Sequence, residues 1–137
     1  MTRTVDEEAL LARALKVLPQ GSLGNLQVDD QYGFIVARGL GSQIWDISGN
    51  QYVDYLLGSG PMLLGHAFPK VIEAARQAMG KGSTFYAQNA YAIALAEEIV
   101  DAVPCAEQVR FTTSGTEATF QALRIARAFT KREKILK

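Results

Sequence analysis

The stretch Val109–Arg127, VRFTTSGTEATFQALRIAR, restricts the fold more than any other part of the chain. A β-prone run from Val109 to Thr113 meets Ser114-Gly115-Thr116-Glu117, and apolar residues then recur at helical spacing. Ser114 and Glu117 stand as in a capping box: the hydroxyl accepts from a first-turn amide, and the carboxylate reaches back to the N–H of the cap. Gly115 has no Cβ, so another group can approach the backbone closely. A helix start offers unpaired N–H groups and the positive end of the macrodipole. With two hydroxyls beside it, this start makes a seat for a phosphate. An S-x-x-E box taken alone does no more than cap a helix. The strand–loop–helix order adds the anion-binding reading, because open α/β sheets bind ligands at the carboxyl ends of their strands.

The 137 residues are enough for one small domain with an apolar core. Hydrophobic residues make up 48% and charged residues 20%, which places the chain among globular rather than disordered sequences. Fourteen basic residues cancel fourteen acidic ones, so no electrostatic case exists for nucleic acid or an anionic membrane as partner. The one cysteine, Cys105, has no internal disulfide partner and reads as buried or incidental in a reducing compartment. The opening MTRTVDEEALLARAL is acidic where a signal peptide is basic and then apolar. No apolar run approaches the roughly 20 residues of a spanning helix. The expectation is a soluble, cytoplasmic protein.

Thr4 and Glu7 form a second possible capping box, opening a helix that runs to about Leu18 before Pro19, with Leu11, Leu15 and Leu18 on one stripe. Gln20–Asp30 reads as a surface loop. Phe34–Ala37 and Gln43–Trp45 read as strands separated by Gly39-Leu40-Gly41, and DISGN (Asp46–Asn50) is a turn leading back into a strand at Gln51–Tyr55. Gln43–Trp45 and Gln51–Tyr55 should pair as a hairpin with a turn longer than two residues. Gly58-Ser59-Gly60-Pro61 imposes an unusual backbone path. His66 has no carboxylate or second ligand at metal spacing, so it reads as structural, and no metal site is expected. Pro69 suits the first position of a helix to about Met79, ended by Gly80 or Gly82. Phe85 and Tyr86 either line a pocket or cover a core edge. Asn89 caps a further helix over about Ala90–Val103, closed by Pro104. A helix over 116–129, a turn at Lys131-Arg132-Glu133 and a strand from Lys134 to Lys137 then complete a βαβ unit with Val109–Thr113.

FTTSGTEATFQALRIARAFTKREKILK resembles the phosphate loop and following helix of class III pyridoxal-phosphate (PLP) aminotransferases, in the glutamate-1-semialdehyde 2,1-aminomutase-like branch. The resemblance extends back through DISGNQYVDYLLGSGPMLLGH and covers about Leu18 to Lys137. It implies an α/β fold: the amino-terminal part of a fold type I PLP-dependent transferase. A helix and small antiparallel β segment of the small domain (1–65) would lead into the start of the large PLP-binding domain (66–137), with its first βαβ unit. It implies that Ser114, Gly115 and Thr116 hold the cofactor phosphate. It implies too that the Gly58–Pro61 loop passes beside the substrate, with Ser59 on the substrate wall. The aminomutases carry a bulky Trp before the Gly-Pro where this chain has Ser59, which leaves more space and favours an aminotransferase acting on another amino or keto acid. The family's Pro-Gly-Gly loop near the substrate is matched poorly at Gln20, so Ser22 and Asn25 inherit no role.

The chemistry that the resemblance implies needs a lysine bonded to the cofactor and an acid at its ring nitrogen. Both lie downstream of the phosphate loop in the family, and Lys16, Lys70, Lys81, Lys131, Lys134 and Lys137 do not match that lysine. No catalytic residue is therefore assigned. The expectation is an amino-terminal fragment, inactive alone, of a homodimeric enzyme that moves an amino group between an amino acid or amine and a keto acid. Two alternatives are an aminomutase, which moves the group within one substrate, and a non-catalytic chain that acts by pairing with a complete subunit. A dinucleotide binder is disfavoured because no G-x-G-x-x-G follows a strand.

Overall fold

The computed structural model describes residues 2–24 and 32–136. The chain divides into two compact units, Met1–Ser83 and Thr84–Lys137.

The first unit opens with helix α1, Val5–Val17. Thr4 caps it by accepting from the N–H of Glu7, and Asp6, Glu7 and Glu8 lie in the first turn, where the macrodipole favours negative charge. Only half of the expected capping box forms. The Glu7 carboxylate turns away from Thr4 and accepts from the N–H of Ile35 at 2.7 Å and from the hydroxyl of Ser48. The Thr4 N–H goes to Ser48 Oγ at 2.7 Å instead. The Arg3 guanidinium donates twice to the Gly33 carbonyl, at 2.6 and 3.0 Å. Polar bonds thus tie the start of α1 to the segments around the sheet. The helix ends at Leu18, ahead of a single 3-10 turn at Pro19–Gly21, as Pro19 required.

Three strands form an antiparallel meander: β1 (Val36–Leu40), β2 (Gln43–Asp46) and β3 (Gln51–Val53). Leu40 pairs with Gln43 across a two-residue Gly41-Ser42 turn, and the register shifts between Val36 and Arg38, leaving Ala37 as a bulge. The expected hairpin between β2 and β3 is present, with Trp45 opposite Gln51 and Gln43 opposite Val53. β1 begins two residues later than the sequence suggested and runs through Gly39, because the ladder continues as far as the tight turn allows. At the β2–β3 turn the Asp46 side chain takes the Asn50 N–H at 2.7 Å, the Asn50 amide at 2.8 Å and the Tyr52 hydroxyl at 2.7 Å. Tyr52 stacks on Phe34 with ring centroids 4.6 Å apart. Helix α2, Pro69–Met79, has Pro at its first position and ends at Gly80, as expected.

The second unit holds helices α3 (Ala90–Ala102) and α4 (Gly115–Thr130). Asn89 caps α3 through its side chain, and Lys131 ends α4 in the left-handed conformation at φ 58°. The segments on either side of α4 differ from expectation. Val109–Thr113 and 134–136 are not in a ladder among the described residues, and Lys137 lies outside them. A parallel strand takes its hydrogen bonds from neighbouring strands, and β-propensity alone supplies none.

The apolar core expected from composition is also absent among the described residues. No hydrophobic side chain is buried; the buried residues are Glu7 at 0% and Asp46 at 2% exposure. Val71 and Ile72 on α2, Ile93 and Leu95 on α3, and Phe120 and Ile125 on α4 are all exposed. The helical pattern is right in period, but its apolar faces have no cover within the described chain.

Candidate functional site

Ser114 stands in extended geometry at the start of α4, and its hydroxyl oxygen accepts from the N–H of Glu117 at 3.2 Å. The carboxylate of Glu117 does not return to the Ser114 N–H. It reaches one residue further, to the N–H of Thr113 at 3.0 Å and the Thr113 hydroxyl at 2.7 Å. Those two bonds, with Arg110 nearby, hold the Glu117 carboxyl below its ordinary range. Thr112 donates its hydroxyl to the Ser114 carbonyl at 3.1 Å, which braces the approach to the helix. The N–H groups of Gly115 and Thr116 have no protein acceptor among the described residues, and Ser114, Gly115 and Thr116 are exposed. An ideal Cβ built on Gly115 would meet nothing within 4 Å, so the space in front of this backbone is open. The arrangement offers free amides, hydroxyls and a sixteen-residue helix dipole at one point. It can receive an oxyanion.

Ser59 belongs to the first unit. It lies in a run of four residues with positive φ: Leu57 at 45°, Gly58 at 65°, Ser59 at 69° and Gly60 at 105°. For Leu57 and Ser59 this conformation costs on the order of 1–2 kcal/mol each. The loop is closed internally by Ser59 N–H to the Leu56 carbonyl at 2.9 Å and Gly60 N–H to the same carbonyl at 3.1 Å. Ser59 itself is exposed.

His66 does have a carboxylate partner, which sequence reasoning missed. Its Nε2 lies 2.7 Å from Asp54 Oδ2. Asp54 also accepts from the N–H groups of Leu56 at 2.8 Å and Leu57 at 3.0 Å through Oδ1. The Leu57 N–H and His66 together hold the Asp54 carboxyl below its usual range. The backbone of His66 exchanges two hydrogen bonds with Gly41, each 2.8 Å. That bridge, with the Asp54 N–H bonded to the Ser42 carbonyl at 2.8 Å, sets both residues against the Gly41-Ser42 turn, and no local spacing announces it.

Asp46 and Tyr52 make the other perturbed pair. Burial pushes Asp46 up, but hydrogen bonds from the Asn50 amide, Tyr52 and the turn backbone outweigh it and hold the carboxyl below its ordinary range. Burial and the bond to Asp46 push the Tyr52 hydroxyl up to about 12. The bonding is structural: both partners are consumed by the turn. Cys105 is exposed rather than buried. Phe85 and Tyr86 are exposed as well, so neither covers a core edge among the described residues. Ser22 and Gly24 share a hydroxyl-closed turn, and Asn25 lies outside the described residues. Among the described residues no group of three metal-ligating side chains occurs, and no helix is long and apolar enough to cross a membrane.

Comparison with known proteins bears directly on this geometry. The family model described as Aminotransferase class-III matches residues 26–137. The glutamate-1-semialdehyde 2,1-aminomutase of Methanothermobacter thermautotrophicus is 46% identical over 130 residues, which is 95% of this chain and 31% of that protein. The protein of the same name from Sulfurihydrogenibium azorense is 50% identical over 102 residues, covering 74% of this chain and 24% of that one. Among solved structures, an omega-transaminase from Sphaerobacter thermophilus superposes with a TM-score of 0.88 at 37% identity, over 94% of this chain and 30% of its own. A structure described as a transaminase with PLP bound gives 0.89 at 35% identity, over 98% and 32%. The chain thus spans roughly a third of the length of the relatives it matches.

Proposed function

The chain belongs to the class III aminotransferase family, and from that premise we propose that it supplies the PLP phosphate seat and part of the substrate wall of an aminotransferase. The whole enzyme moves an amino group between an amino acid or amine and a keto acid in two half-reactions. When bound, PLP supplies an electron sink for charge developing on the substrate's reacting carbon. This chain's own part is to hold and orient. Gly115 and Thr116 donate their unpartnered N–H groups to phosphate oxygens. The Ser114 hydroxyl donates to the phosphate while its oxygen keeps accepting from Glu117. Thr113 occupies the Glu117 carboxylate, which keeps that negative charge engaged on the chain. Ser59, small and exposed at its loop, leaves room for the substrate side chain. Residues 1–65 belong to the small domain and 66–137 to the large one, in a cytoplasmic homodimer.

One observation carries this reading: the start of α4 presents two free amides to open space beside Ser114. Following the amide signals of an isotope-labelled chain during titration with inorganic phosphate, then PLP, tests it. Gly115 and Thr116 should shift together and saturably. If they stay still while other amides move, the seat is elsewhere and the assignment fails.

The high identity to proteins named glutamate-1-semialdehyde 2,1-aminomutase favours a second reading, intramolecular transfer. The small Ser59 favours external transfer. Assaying the full-length enzyme with and without an added keto acid separates them, since intramolecular transfer needs no external acceptor.

A further inference from the structure

We propose that Asp54 and His66 form a latch that holds the Leu57–Gly60 loop in its left-handed path, making both of them positioning residues for whatever Ser59 faces. The substrate side of this inference rests on the reading of Ser59 above; the latch itself does not. The two residues are twelve positions apart, with the Leu57–Gly60 loop between them. Asp54 stands just after β3 and uses both carboxylate oxygens. Oδ1 takes the Leu56 and Leu57 amides where the chain enters the loop, and Oδ2 takes the imidazole beyond its far end. An ionised carboxylate only accepts, so Nε2 carries the proton and donates. The far end is itself anchored, because the His66 backbone pairs with Gly41 next to β1.

The surroundings are shaped for this ring. A Cβ on Gly39 would sit 2.5 Å from His66 Cγ and 2.8 Å from Nδ1, so the imidazole lies against bare strand backbone. Gly65, at φ 73°, would place a Cβ 2.6 Å from the Gly41 carbonyl oxygen, so the approach of His66 to the sheet also requires a glycine. Within the loop Leu57 and Ser59 hold a conformation that non-glycine residues disfavour, and hydrogen bonds from Ser59 and Gly60 N–H close the turn. Such a conformation persists only where surrounding contacts over-determine it. The side chains of Asp54 and His66 are 12% and 21% exposed, shielded enough for the pair to do so.

Amide hydrogen exchange on the full 137-residue chain tests the latch, using His66→Ala and His66→Gln. The glutamine amide can return an N–H toward Asp54 without a ring. Losing a hydrogen bond to a charged group should speed exchange at Leu57, Ser59 and Gly60 by about tenfold or more in the alanine variant. The glutamine variant should restore most of the protection, and Asp46 and Asn50 amides in the β2–β3 turn should keep their rates in both. Unchanged loop exchange in His66→Ala overturns the proposal. So does a glutamine variant as fast as the alanine one, or an equal acceleration at Asp46 and Asn50, which would mean general loosening. Failure of the phosphate seat shows at Gly115 and Thr116 under phosphate and leaves these rates untouched, so the two readings fail separately.

Discussion

Gly39 shows how much a single side chain, or its lack, decides in this protein. Its sequence context is an ordinary Gly-Leu-Gly, yet a Cβ there would collide with the His66 ring. Gly39→Ala should therefore cost about 1–3 kcal/mol of unfolding free energy, as overpacking does elsewhere. Chemical denaturation followed by tryptophan fluorescence measures it, since Trp45 on β2 is the only tryptophan. A loss near zero would mean that the ring can step aside. Tyr52 and Asp46 give a second residue-scale expectation, and its sign follows from their shifts. The Tyr52 hydroxyl is raised to about 12, so its contribution to stability is present below the ordinary tyrosine range and fades as pH rises through about 12. Asp46 is lowered, so its contribution is present above the ordinary carboxylate range and is lost as pH falls through its depressed value. In Asp46→Asn the Tyr52 ring signal should titrate at lower pH than in the parent, and the acid limb of the stability profile should flatten. An unmoved Tyr52 titration would show that burial and the Glu7 charge set it without Asp46.

At the scale of elements, the start of α4 separates what holds the fold from what the proposed phosphate seat would use. Ser114 caps the helix, and Ser114→Ala should cost about 1 kcal/mol of stability. Gly115 does no structural work that the described residues reveal: its φ is not positive and open space lies before it. Gly115→Ala should therefore leave stability unchanged or raise it by up to about 1 kcal/mol, through helix propensity. The same change should weaken binding of inorganic phosphate or PLP, because the added methyl occupies the approach. Calorimetric titration beside thermal melts reads both effects; equal phosphate affinity in parent and variant would remove the reason for a glycine there. The helices show which parts of an element are legible. Caps and breakers act within a few residues, so Asn89, Pro69, Gly80 and Lys131 mark boundaries that the structure keeps within a residue or so. Strands are different, because a ladder needs a partner. The meander carries its own partners, and its β2–β3 hairpin is readable from DISGN and its flanks, whereas Val109–Thr113 and 134–136 have the right residues and no neighbour among the described ones.

The molecule as a whole presents an imbalance. Among the described residues the buried groups are two carboxylates held by hydrogen bonds, while large apolar side chains such as Phe120 at 57% and Phe129 at 87% stand exposed. Folded proteins gain most of their stability from apolar burial, so those faces are built for cover of a kind the described residues do not provide. The same division runs through the proposed chemistry: the start of α4 offers amides for a phosphate, while none of the six lysines is assigned to bond the cofactor. Treating the chain with PLP and borohydride should give no reduced adduct at any one lysine in preference to the others by mass spectrometry. An adduct formed at one lysine in preference to the other five would overturn the assignment of none of them to that role.

The residues by themselves determined the helix boundaries, the antiparallel hairpin and the capped start of α4 with its free amides, because caps, turns and first-turn amides are governed by neighbours a few positions away. Tertiary structure decided what the charged and polar side chains do. Glu7 left its cap for Ile35 and Ser48, and Glu117 reached past Ser114 to Thr113. His66 meets Asp54 where its backbone pairs with Gly41 and the Asp54 N–H bonds the Ser42 carbonyl. A side chain's partner depends on which distant backbone is brought within about 3 Å of it, and no local rule carries that distance.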